Sequence, residues 1–174
     1  MNCIGLVMAA IMATHYNPHG YNKVRIKVIA KHVCHYSKRK SVDPYLVIGV
    51  IRHESFFKTR LISKTNDYGL MQLNKKYFGD KCNNLLQVKC NIREGVKFLS
   101  TIKRVHGNAK FHWLRKYNWY SYKHHLRILW LARAYEEAEK RKELYKVIKH
   151  GGYKRLQLNY KCINEEGLCM KKRR

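Results

Sequence analysis

Apolar residues recur along the chain with a helical period, in segments divided by short polar or glycine-containing breaks. The first segment, 3–13 (CIGLVMAAIMA), is apolar throughout and gives way to a turn-rich break at 15–22, HYNPHGYN. Residues 23–38 set Ile26, Ile29, Ala30 and Val33 on one face of a predicted helix and Lys and Arg on the other, and 37–41 read as a solvated basic connector. A helix over 44–57 follows. Asp43 can cap its free N–H groups, Pro44 suits its first position, and Val47, Val50 and Ile51 share one face. Residues 58–68 have no helical period and predict a small hairpin or an irregular loop, with a short helix opening within 70–77. Residues 78–90 read as a loop. Asn91 then caps a helix over 92–105, with Ile92, Val96 and Leu99 inward and Gly107-Asn108 as its stop. Two more helical segments are predicted, an aromatic-rich one over 110–121 with Trp113, Leu114 and Tyr117, and a longer one over 124–149 with the stripe Ile128, Leu131, Ala132 and Tyr135. Gly151-Gly152 ends the helical region. The pattern is mainly α with one small β element.

Composition makes this one folded domain. The chain has 174 residues, is 45% apolar, holds only two prolines and shows no repeat, which excludes a disordered or linker-rich chain. Lys and Arg number 37 against 11 Asp and Glu, a formal charge of +26. So one-sided a charge implies a polyanionic partner. Bacterial cell wall, with peptide carboxylates and teichoic acid, is one such partner. Nucleic acid is the other, and a DNA-binding virion or packaging protein is the alternative it offers, although no helix-turn-helix, zinc finger or glycine-rich phosphate loop is visible.

Of six cysteines, Cys82 with Cys90 and Cys162 with Cys169 would each close a short loop, as suits an oxidising compartment. Cys34, on a helix, reads as a small buried apolar residue. No CxxC or HxxxH spacing offers a metal site, the ten histidines are scattered with His124-His125 the only pair, and no cofactor is expected. The run at 3–13 has the length and small-residue end of a secretory signal but lacks the usual N-terminal Lys or Arg. An ordinary buried first helix is the alternative, and the run is too short for a stable membrane span.

The candidate chemistry sits at Glu54. It occupies the i+7 position of the Val47, Val50, Ile51 stripe, where an aliphatic residue would ordinarily stand. A carboxyl among apolar neighbours tends to keep its proton, which is what a general acid requires. The plain alternative is an ion pair with Arg52, Lys58 or Arg60.

Glu54-Ser55, Gly69-Leu70-Met71-Gln72, Asn91-Ile92-x-x-Gly95 and Tyr117-Asn118 occur in this order. The ordered set resembles the soluble lytic transglycosylase domain of the lysozyme-like superfamily, over roughly residues 24–135. Asp67-Tyr68-Gly69, with Cys90-Asn91-Ile92 downstream, is also similar to chicken-type lysozyme. The resemblance implies an α+β lysozyme-like fold and favours the hairpin beside the catalytic helix. The implied layout is a signal sequence or N-terminal helix at 1–20, the catalytic domain at 21–150 and a basic extension at 151–174. It also implies cleavage of the β-1,4 bond between N-acetylmuramic acid and N-acetylglucosamine in peptidoglycan strands, outside the cytoplasm or from a phage particle. Glu54 would act first as acid and then as base, giving a 1,6-anhydro end. Ser55, Gly69, Met71, Gln72, Asn91, Tyr117 and Asn118 would line or order the site, Tyr117 by orienting the glutamate. Asp67 would be the second carboxylate of a hydrolytic, lysozyme-like alternative; as a turn residue after Asn66 it needs no catalytic role. Where the family has a small residue and Gly after Tyr-Asn, this chain has Trp119-Tyr120-Ser121-Tyr122, so its far subsites differ.

Overall fold

The apolar N-terminal run forms a helix, α1 (Cys3–Thr14), whose Val7, Ala9, Ala10 and Ile11 are buried in the core. It packs on α2 (Lys23–Lys40), which turns Ile26, Ile29, Ala30 and Val33 inward as the periodicity predicts. The computed structural model describes residues 2–14, 23–106, 113–118, 127–129, 131–133, 135–137, 160–162 and 169–171. The break at 15–22, Gly107-Asn108, residues 119–122, His124-His125 and Gly151-Gly152 lie outside them. A disulfide joins Cys3 to Cys34, which corrects the reading of Cys34 as a merely apolar residue. The pairing had no signal in the spacing, because the two cysteines meet only once α1 lies along α2.

The third helix, α3 (Pro44–Ser55), begins as expected: the Asp43 carboxylate accepts the Tyr45 backbone N–H at 2.9 Å and Pro44 takes the first turn. Every residue from Tyr45 to Ile51 is buried, so α3 is a central helix rather than an amphipathic surface one. Each buried aliphatic side chain contributes about 1.5–3 kcal/mol. Gly49 lets α3 approach a neighbouring helical stretch closely, since a Cβ there would stand 3.1 Å from the Ile128 carbonyl oxygen. That stretch, helical at 127–129, 131–133 and 135–137, buries Ile128, Ala132 and Tyr135.

Helix α3 stops at Ser55, two residues short of the expected end at 57, because Phe56 and Phe57 both take left-handed backbone, with φ of 51° and 62°. Phe57 turns into the core, while Phe56 stays exposed with the Arg52 guanidinium 4.0 Å above its ring. The β element is a hairpin of β1 (Asp67–Tyr68) and β2 (Leu73–Asn74), antiparallel, with Asp67 opposite Asn74 and an outer bridge between Ile62 and Tyr68. Residues 69–72 are its turn, not the opening of a helix. Gly69 (φ 73°) and Gln72 (φ 45°) are left-handed there, and the short helix, α4 (Lys75–Phe78), starts only after Asn74 caps it.

A 3-10 turn at Gly79–Lys81 leads to α5 (Val88–His106), four residues ahead of the expected start. Asn91 is therefore inside the helix, its N–H bonded to the Gln87 carbonyl, and is not the cap. The expected disulfide between Cys82 and Cys90 is present and pins the start of α5 to the preceding loop. A short helix, α6 (Arg115–Asn118), carries Tyr117. Strands β3 (Tyr160–Cys162) and β4 (Cys169–Lys171) pair antiparallel with Cys162 opposite Cys169. Among the described residues no helix is long and apolar enough to cross a membrane.

Candidate active site

Helix α3 delivers Glu54 to its C-terminal end, one turn beyond the fully buried Val50 and Ile51. The side chain is partly buried, at the edge of the core rather than deep within it. Strained backbone gathers in the same region. Of the five non-glycine residues with positive φ among the described residues, four (Phe56, Phe57, Asn66 and Gln72) flank Glu54 in sequence or lie in the hairpin that follows it. Such conformations cost energy, and they persist where surrounding structure fixes them.

Ser55 is fully buried. Its hydroxyl lies 2.8 Å from the Leu70 carbonyl and 3.1 Å from that of Ile51, donating to backbone oxygens and so tying the end of α3 to the hairpin turn. Asn91 holds the other side of this turn. Its Oδ1 accepts the Met71 N–H at 2.8 Å, and its Nδ2 donates to the Tyr68 and Leu85 carbonyls, both at 2.8 Å. One acceptor and two donors are thereby engaged, all out of water. Gly69 must be glycine: its φ is positive, and a Cβ would meet Asn91 Nδ2 at 2.7 Å. Gly95, one helical turn after Asn91, leaves the space that the Met71 side chain fills. The spacing Asn91-x-x-x-Gly95 thus clamps the Met71 backbone with one residue and admits its side chain with the other.

Tyr117 closes the arrangement. Its hydroxyl donates to the Met71 carbonyl at 2.9 Å, and its ring lies tilted at 5.3 Å against Phe98, which meets Phe78 edge-on at 5.6 Å. Burial first, and the negative charge of Glu54 second, push the phenol well above its ordinary value. The phenol is therefore neutral at any physiological pH, and Glu54 is close enough to act on it. The Tyr117 hydroxyl also anchors the hairpin turn through the Met71 carbonyl, a role that the sequence reading of Tyr117 as the orienter of Glu54 did not include.

Gln72 is nearly buried and its Nε2 donates to the carbonyls of Gly69 at 2.9 Å and Leu61 at 3.3 Å. Its Oε1 has no partner among the described residues, leaving an acceptor for an incoming N–H. Asp67 belongs to a different cluster. Its carboxylate accepts from Ser63 Oγ at 2.8 Å, Asn74 Nδ2 at 2.8 Å and Thr65 Oγ1. Those bonds hold the hairpin, and Asn74, which the sequence reading does not single out, is central to them through a further bond to the Thr65 carbonyl. Asn118 ends α6 next to Tyr117.

Glu54, Ser55, the 69–72 turn, Asn91 and Tyr117 are thus brought into one neighbourhood from four separated stretches of chain. A protein-family model described as the transglycosylase SLT domain matches residues 32–147, which span every one of them. Among curated proteins and solved structures, none matches the chain.

Proposed function

This chain belongs to the transglycosylase SLT domain family, and on that premise we propose that it cleaves the β-1,4 bond between N-acetylmuramic acid and N-acetylglucosamine in peptidoglycan without consuming water. Glu54 protonates the leaving glycosidic oxygen as the C1–O bond breaks and positive charge builds on the muramic ring. The resulting carboxylate then takes the proton of the same sugar's 6-hydroxyl while O6 bonds to C1. The product is a 1,6-anhydro end, and Glu54 regains its proton. One carboxylate suffices for both halves of the cycle.

The observation that carries this reading is the placement of Glu54 within electrostatic reach of a buried, neutral Tyr117 that is itself bonded to the Met71 carbonyl. The turn 69–72 is tied to the end of the helix that carries Glu54 through the Ser55 hydroxyl, and the unengaged Oε1 of Gln72 suits the N–H of an N-acetyl group. The hairpin bonds of Asp67 favour a structural role for it, and so favour the one-carboxylate route over lysozyme-type hydrolysis. Two disulfides suit action outside the cytoplasm, by export or from a phage particle. The formal charge of +26 suits anionic wall polymers.

Clearing of purified peptidoglycan tests the assignment. Glu54→Gln is expected to lower the rate on the order of 10²-fold or more with an unchanged fold by circular dichroism. Undiminished clearing by the folded variant contradicts it.

A further inference from the structure

Helix α3 also borders a cavity far from Glu54. Its N-terminus, about 15 Å along the axis from Glu54, opens on a cavity of about 890 Å³ formed with the start of α1, the last turns of α2 and the end of α5. That volume is in the range of small-molecule sites. Part of the wall is apolar: the Cys3–Cys34 disulfide, Ile4, Val42 and Pro44. The cationic groups are Lys31 and Lys38 from α2 and Lys103 from α5, and none of these three ammonium groups makes an ion pair among the described residues. Asp43, the carboxylate in the lining, is committed to the Tyr45 backbone N–H as the cap of α3.

Ser37 adds an independent observation at this cavity. It lines the cavity and is only 2% exposed, yet its Oγ has no hydrogen-bond partner among the described residues. A buried hydroxyl left unpaired is costly, and folded proteins seldom tolerate one without a ligand, water or ion to meet it. Three exposed ammonium groups at the rim, of which Lys103 also feels the Asp43 carboxylate, outnumber that one carboxylate and select an anionic head. The apolar part of the wall selects a hydrocarbon body behind it.

We propose that this cavity binds an amphiphilic anion, an apolar chain ending in a phosphate or carboxylate, with Lys31, Lys38, Lys103 and Ser37 on the head group and the disulfide, Ile4 and Val42 against the chain. The site is separate from Glu54 and does not depend on the wall-cleaving activity.

Calorimetric titration of the full, oxidised chain with octyl phosphate, kept below its micelle concentration, tests this. Octyl phosphate is expected to saturate one site and to bind at least about tenfold tighter than inorganic phosphate, which lacks the chain, or octanol, which lacks the charge. Lys31→Gln, Lys38→Gln and Lys103→Gln combined should weaken it by about tenfold or more, whereas Lys64→Gln, Lys75→Gln and Lys76→Gln combined, which remove the same charge from exposed positions elsewhere, should not. Ser37→Ala should weaken binding without lowering the melting temperature, since the hydroxyl it removes is unpaired. Absence of saturable binding, equal binding of inorganic phosphate, or equal loss in both triple variants overturns the proposal.

Discussion

Asn91 shows how much of this site rests on single side chains. Its amide serves three backbone groups at once, the buried ones of Met71 and Leu85 and the partly buried one of Tyr68. Asn91→Ala would strand all three, and is expected to cost about 2–4 kcal/mol in chemical denaturation and to abolish wall clearing because the turn facing Glu54 loosens. Tyr117→Phe leaves the Met71 carbonyl without its donor and should cost about 1–3 kcal/mol, with a fall in rate. If Tyr117 acts only through the turn, that fall is the same at every pH, so the pH–rate profile should keep its shape. On the proposed one-carboxylate route, Asp67→Asn should retain the rate and the anhydro product; loss of activity in a folded Asp67→Asn protein would favour the hydrolytic route. The identities of these residues were legible in the sequence because their motifs are short and ordered. Their roles were less so. Asn91 reads as a cap, and the bond from Tyr117 to the Met71 carbonyl has no signal, because local spacing does not say which distant backbone group a side chain will reach.

At the scale of elements, α3 and α5 are held by features of very different visibility. The capping signal Asp43-Pro44 identified the start of α3 to the residue, and the short Cys82–Cys90 loop was equally plain. The Cys3–Cys34 bridge was not, because it spans 31 residues and depends on tertiary packing of α1 on α2. That longer loop should also be the more stabilising one. Chain-entropy arguments give about 3.7 kcal/mol for it against about 2.6 kcal/mol for the Cys82–Cys90 loop, so paired alanine replacement at 3 and 34 should lower stability more than at 82 and 90. Gly95→Ala tests the seat of Met71 in α5. Alanine would gain about 1 kcal/mol in helix propensity, but its Cβ would collide with a Met71 whose backbone is held on both sides, at a cost of about 1–3 kcal/mol. Thermal unfolding should therefore show a net loss, accompanied by lower activity.

For the molecule as a whole, burial and charge set the response to solvent. His32 is pushed below its ordinary value by burial first, then by the neighbouring charges of Lys31, Lys89 and His35. Its folded form resists protonation more than the unfolded chain does. It therefore contributes stability that is present above about pH 6.5 and is lost as the pH falls through its folded value. His32→Gln should flatten that acid slope in melting temperature. The mainly α architecture was legible at this scale from hydrophobic period alone. The hairpin turn was not, because its left-handed residues, Gln72 among them, take that backbone under tertiary constraint rather than by local preference. The central claim is that one glutamate cuts the glycan by transferring a proton out and back without water. Mass spectrometry of muropeptides from purified peptidoglycan measures this directly: the protein should release fragments with 1,6-anhydromuramic ends, each lighter by one water than a reducing end, and Glu54→Gln should release almost none. Reducing ends in the wild-type digest, or anhydro products undiminished in the variant, would contradict it.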